Sequence, residues 1–173
     1  MQYFAIPDLK AYVIRYLTRW GISVDDAAIA AEVLVSADMR GVDSHGVIRL
    51  GSYYGSRLAK GQINPRAEFS VVHETSTSIV ADANNGLGHP AGFKTMQLCI
   101  EKARANGIAF ATARNSNHYG IAGYYAMMAL KEEMIGVSFT NSGPLVAPTH
   151  GKQAMLGTNP IAVAVPACKN QPY

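Results

Sequence analysis

The chain has 173 residues, 49% of them hydrophobic and 16% charged, with 15 Lys+Arg against 12 Asp+Glu for a formal net charge of +3. High apolar content with a small net charge excludes a disordered chain, two cysteines (Cys99 and Cys168) exclude a disulfide framework, and a basic excess this thin, with no basic run, excludes a nucleic-acid binder. The length suffices for a single domain with a core of its own, and charge well below the usual ~25% points to a large protein–protein face.

Pro7 and the apolar positions Leu9, Tyr12, Val13, Tyr16, Leu17 and Trp20 predict a helix over 6–20, ended by Gly21. Ser23 caps a second helix, with Asp25 and Asp26 in its first turn and an Ala-rich body running to Gly41. Asp43-Ser44-His45-Gly46 caps a third, with Leu50, Tyr54 and Leu58 along one face and Gly61 as its stop. The texture then changes. Ala67–His73 and Thr77–Asp82 read as a hairpin around Glu74-Thr75-Ser76. A loop over 84–88 leads to a helix opened by Pro90 and closed at Asn106-Gly107. A strand over 108–113, a helix over 120–131, a strand over 135–140, a long Pro- and Gly-marked loop and a last strand over 161–165 complete the pattern. Hairpin pairing followed by helical crossovers predicts an α/β fold with a mixed sheet. No apolar run approaches the ~18 residues of a membrane span, and no export signal opens the chain. With reduced cysteines this predicts a cytoplasmic protein without a membrane segment.

Gly86-Leu87-Gly88 lacks the third glycine of a dinucleotide fingerprint, since position 91 is Ala, and reads as a loop before a helix. The five histidines (45, 73, 89, 118, 150) show no metal-ligand spacing, so no structural metal is expected. Cys99, Met127 and Met128 read as core or interface filler, and His73 and His150 as structural. Two constellations carry chemistry. On a helix starting near Ser44, His45 and Arg49 lie four apart and share a face. Arg49 can grip a carboxylate through two parallel hydrogen bonds, and His45 can trade a proton with the adjacent carbon–oxygen group. The plainer alternative is a capped helix with a locally bonded His and a solvated Arg. The second constellation, Asn115-Ser116-Asn117-His118-Tyr119-Gly120, lies between a strand end and a helix start, a common place for anionic ligands. His118 is there a site residue or a turn residue bonded to its own backbone.

At these residues the sequence resembles the type-2 malate/L-lactate dehydrogenase family, which also holds ureidoglycolate and sulfolactate dehydrogenases, diketogulonate reductases and cyclic imino acid reductases. The blocks 40–49 and 115–120 match, followed by Asn141-Ser142-Gly143-Pro144 with Val146-Ala147-Pro148, and by Gly157-Thr158-Asn159-Pro160-Ile161-Ala162. The resemblance covers the whole chain. It implies a nicotinamide-dependent oxidoreductase, using NAD or NADP, for small anionic 2-hydroxy acids or their 2-keto counterparts. The implied fold is a three-layer α/β/α arrangement with a mixed sheet, not a Rossmann fold, in a homodimer. By position in the motifs, His45 matches a proton donor or acceptor, Ser44 its neighbour in orientation or relay, and Arg49 a carboxylate contact. His118 matches a second histidine, acid/base in some members and a ligand contact in others. Ser142 matches a position near the nicotinamide, and Thr158 and Asn159 lie in a block approaching the cofactor.

The resemblance also implies a departure, because family members are roughly twice as long. Residues 1–62 are expected to form an N-terminal helical segment, and 63–173 the first part of the sheet domain, an incomplete fold. An aspartate partnering the site and most dinucleotide contacts would then lie outside this sequence. The chain is accordingly expected to be part of such an oxidoreductase or, alternatively, a catalytically incomplete product acting as an interaction module.

Overall fold

The computed structural model describes residues 3–167. Helix α1 (Ile6–Thr18) opens with Pro7 in its first turn and buries Val13 and Leu17. The apolar stripe is narrower than expected: Tyr12 and Trp20 stay 51% and 37% exposed. Helix α2 (Val24–Met39) starts where Ser23 Oγ accepts the Asp26 N–H at 3.1 Å, satisfying one of its free donors. It buries four alanines, Ala27, Ala30, Ala31 and Ala37, together with Val33, Leu34 and Val35. Small side chains let α1 lie close against it, and apolar burial at about 25 cal/mol per Å² makes this pair the seat of the core.

The expected third helix is not one continuous α-helix. A 3₁₀ turn (Asp43–His45) is followed by a wide π-helical stretch (Leu50–Gly55) and a single α turn, α3 (Ser56–Ala59). Gly46, Gly51 and Gly55 interrupt the segment, and glycine disfavours a regular α-helix by about 1 kcal/mol each. Leu50, Tyr54 and Leu58 are buried together nonetheless, packing with Ile63 and Leu87. Asp38 sits where any side chain at position 46 would stand: a Cβ there would lie 1.7 Å from its Oδ1. The bare backbone lets Asp38 Oδ2 accept the Val47 N–H at 3.0 Å, anchoring the 3₁₀ turn to the end of α2.

The hairpin forms as read, β1 (Ser70–Glu74) antiparallel to β2 (Ser78–Asp82). Thr75 Oγ1 accepts the Ser78 N–H at 3.0 Å within its turn. Helix α4 (Gly88–Asn106) begins two residues before Pro90 and crosses over to β3 (Phe110–Arg114), which pairs parallel with β2 from Ser78↔Phe110 to Asp82↔Arg114. The sheet order β1-β2-β3 is therefore mixed. Ile79 and Ala81 of β2 are buried, while all five residues of β1 are exposed. At the carboxyl ends of β2 and β3 the Asp82 carboxylate accepts the Asn84 N–H at 2.8 Å, Arg114 Nε at 2.8 Å and Asn115 Nδ2 at 2.9 Å. Those bonds, the Asn84 N–H first, hold its pKa below the usual carboxylate value.

The described residues divide into two compact units, the first ending at Ile121 and the second beginning at Ala122. In the second, α5 (Ala122–Met128) and a 3₁₀ turn (Ala129–Glu132) lead to β4 (Gly136–Phe139), antiparallel to β5 (Ile161–Ala164). Gly136 and Ser138 are buried; Val137 and Phe139 alternate outward. The strands thus fall into two sheets, one of three strands and one of two, rather than one run. Cys99 is half-buried, and Cys168 lies outside the described residues. Among the described residues no helix is long and apolar enough to cross a membrane.

One close approach fixes the loop after β3. A Cβ on Gly88 would lie 2.0 Å from the Asn117 carbonyl oxygen and 2.5 Å from that of His118. Backbone on both sides cannot rotate away. Gly88→Ala is expected to lower unfolding free energy by about 1–3 kcal/mol, read as a reduced urea midpoint at unchanged slope.

Candidate active site

Within the first unit the structure brings His45, Arg49 and His118 together, although not by the helical spacing expected. His45 ends the 3₁₀ turn and Arg49 precedes the π-helical stretch, so no single α-helix carries both. They meet because Arg49 Nε donates to the Ser44 carbonyl oxygen, folding the guanidinium back over the turn. Ser44 Oγ lies 2.9 Å from His45 Nδ1. The Asn117 side chain ties the loop after β3 to the 84–88 loop, donating to the Asn85 and Gly86 carbonyls at 3.1 and 2.9 Å. His118 is thereby presented to the 3₁₀ turn, and its ring stacks on that of His45 with centroids 5.4 Å apart and planes 27° from parallel.

Four residues of this cluster were not singled out as site residues by sequence reasoning. The Tyr54 hydroxyl lies 2.6 Å from His118 Nδ1. The Tyr53 ring sits 5.3 Å from that of His118, with the Arg57 guanidinium 4.4 Å and the Arg49 guanidinium 5.4 Å from its centre. His89 is 1% exposed, packs 4.8 Å from the Tyr54 ring, and has no hydrogen-bond partner at either ring nitrogen. Tyr54 was legible only as an apolar position. Arg57 falls eight residues after Arg49 in a segment whose path depends on the π-helical turns.

The electrostatics of the cluster are positive. Burial, then the positive charges of Arg49, His45 and Arg57, push the His118 pKa down to about 4. Burial and then Arg49 lower that of His45. Burial, then His118, pushes His89 down to about 3. Among the described residues no ion pair engages Arg49 or Arg57. Two guanidiniums lacking acidic partners, beside imidazoles held neutral, leave the local positive potential for a ligand to answer.

In the second unit Ser142, Thr158 and Asn159 are gathered across their loop. Asn159 Oδ1 accepts the Ser142 N–H at 3.0 Å and Ser142 Oγ accepts the Thr158 N–H at 3.1 Å. The Ser142 and Thr158 hydroxyls lie 3.3 Å apart. All three residues are exposed. His73 and His150 are exposed and outside both clusters, and among the described residues no group of three metal-ligating side chains is gathered.

The first unit is thus a mixed α/β architecture carrying a cluster of imidazoles and guanidiniums. A family model described as Malate/L-lactate dehydrogenase matches residues 4–173, and the chain belongs to that family of dehydrogenases. A malate dehydrogenase of Pyrococcus abyssi is 49% identical over 99% of this chain and 47% of its own length. An L-sulfolactate dehydrogenase of Methanocaldococcus jannaschii is 43% identical over 90% of this chain and 45% of its own. The solved malate dehydrogenase of Pyrococcus horikoshii superposes with a TM-score of 0.94 at 47% identity, over 99% of this chain and 49% of that one. The chain spans about half the length of these relatives.

Proposed function

We propose that this chain carries the substrate site of a nicotinamide-dependent dehydrogenase interconverting a small anionic 2-hydroxy acid and its 2-keto acid. The observation that supports it is the stacked His45–His118 pair, 5.4 Å between centroids, beside two guanidiniums that no acid among the described residues neutralises. In this reading Arg49 holds the C1 carboxylate through two parallel hydrogen bonds, and the imidazoles reach the oxygen on C2. Malate and sulfolactate, the acids named for the relatives, each carry a second anionic group. Arg57 is suited to that group. Ser44 orients His45.

Oxidation takes a hydride from C2 and a proton from its hydroxyl; bound NAD or NADP supplies the hydride acceptor. Ser142, Thr158 and Asn159 offer hydroxyl and amide groups that suit a nicotinamide carboxamide, and they carry no charge for phosphates. We assign them to that end of the cofactor alone. In this reading 1–62 serve as a helical segment and 63–173 belong to the dehydrogenase sheet domain. Sparse charge supports a homodimer, and two cysteines without a disulfide framework favour the cytoplasm.

The test is purified chain with oxaloacetate or pyruvate and NADH or NADPH. The expected result is keto-acid-dependent loss of reduced-nicotinamide absorbance, with the acid shifting the His45 and His118 resonances. The absence of both turnover and shifts would overturn the reading. The alternative, a catalytically incomplete interaction module, would show shifts without turnover.

A further inference from the structure

The two stacked histidines differ in what holds Nδ1. At His118 that nitrogen meets the Tyr54 hydroxyl at 2.6 Å and the Gly120 backbone N–H at 3.3 Å. A backbone N–H only donates. That long contact favours a bare Nδ1 without fixing it; the shorter bond, in which the Tyr54 hydroxyl then donates, keeps the proton off that nitrogen. A neutral imidazole carries one proton, so at His118 it sits on Nε2. Tyr54 is fully buried. Burial holds its phenol well above the usual value, outweighing the pull of Arg49, so the hydroxyl keeps its proton. Nε2 of His118 thus presents an N–H and no lone pair with which to take a proton from a substrate.

At His45 the partner of Nδ1 is the Ser44 hydroxyl. A hydroxyl rotates to donate or to accept. His45 Nδ1 can therefore be bare or protonated, and Nε2 is correspondingly free to gain or lose a proton. The other titratable or charged groups against the pair are Arg49, Arg57, Tyr53 and His89, and none can relay a proton to His118 Nδ1 past Tyr54.

We propose that His118 acts as a neutral hydrogen-bond donor whose Nε2–H polarises the C2 oxygen, that Tyr54 is the positioning residue fixing this tautomer, and that His45 alone carries the reaction's proton. The proposal rests on the dehydrogenase reading above. In the oxidative direction the substrate O–H bond breaks and its proton bonds to His45 Nε2. The electron pair of that bond forms the C2–oxygen double bond, and the hydride leaves C2 for the nicotinamide acceptor. His118 ends as it began. A donor already in place, needing no reorganisation, stabilises charge developing on that oxygen during reduction.

The test reads tautomers directly. Histidine labelled with nitrogen-15 in the full chain distinguishes bare from protonated ring nitrogens, with signals assigned through single His→Gln variants. Expected are a bare Nδ1 and a protonated Nε2 at His118, and a mixture of tautomers in Tyr54→Phe. A protonated Nδ1 at His118 in the wild-type chain overturns the proposal, and so does an unchanged tautomer in Tyr54→Phe. The wild-type spectrum decides even if that variant does not fold. On turnover, the amide N–H of His118→Gln keeps a donor near Nε2, so it is expected to exceed His118→Ala by roughly tenfold with the wild-type pH profile. His45→Gln is expected to lose about 10²–10⁴-fold and its ionisation. Equal losses in the two His118 variants count against the donor role. Absence of turnover in the wild-type chain counts against the dehydrogenase reading alone, because the tautomers are read without substrate.

Discussion

Replacing Arg49 with lysine is expected to weaken malate binding by about 2 kcal/mol, on the order of 30-fold in Kd. The positive charge survives the change, so the loss isolates geometry. The guanidinium is planar, with its fork of donors already set by the bond from Nε to the Ser44 carbonyl and by the Tyr53 face. A lysine ammonium offers one point of charge and none of that preorganisation. Arg57→Ala provides the contrast. If Arg57 meets the second anionic group, its loss weakens malate by a similar factor and leaves lactate, which has one carboxylate, nearly unchanged. Titration of the chain with both acids, followed at the histidine resonances, reads both effects without requiring turnover. Arg49→Lys binding malate as well as the wild type would exclude a bidentate grip. Equal losses for malate and lactate in Arg57→Ala would exclude the second-anion role.

The contrast between Arg49 and Arg57 shows where sequence reading reaches its limit. Local signals were legible because each rests on short-range chemistry. Ser23 capping α2, the Glu74-Thr75-Ser76 turn and the stop of α4 before Gly107 all formed as expected. His45, Arg49 and His118 were also legible, but His45 and Arg49 meet through a backbone carbonyl rather than an i, i+4 face. Spacing arguments assume a regular helix, and glycines 46, 51 and 55 disrupt it. What periodicity cannot reveal is the partner supplied from far along the chain. Tyr54 reads as a core position because it is one, and only the fold shows that its hydroxyl reaches a ring 64 residues away. His89 was invisible for the same reason. Counted only among the five histidines without metal-ligand spacing, it lies buried at the start of α4.

Stability is expected to fall with acidification, and His89 to account for a defined share. Its ring is buried against Tyr54 with neither nitrogen hydrogen-bonded, so the fold excludes the charged form. Burial pushes the folded pKa down to about 3, from about 6.5 for a free imidazole. Above the unfolded value both states hold the ring neutral and the contribution is constant. As pH falls below it, the unfolded chain binds a proton that the folded chain refuses, and stability declines until the folded pKa is reached. At about pH 5 the loss from His89 alone is about 2 kcal/mol relative to about pH 7.5. His118, held down to about 4, adds to the same slope. Replacing His89 with leucine sacrifices no hydrogen bond and conserves much of the volume, so at about pH 7.5 the variant should lie within about 1.5 kcal/mol of the wild type. By about pH 5 the variant should gain about 2 kcal/mol relative to it. Urea midpoints at the two pH values read the difference, and parallel pH dependence in the two proteins would show that His89 is not held neutral.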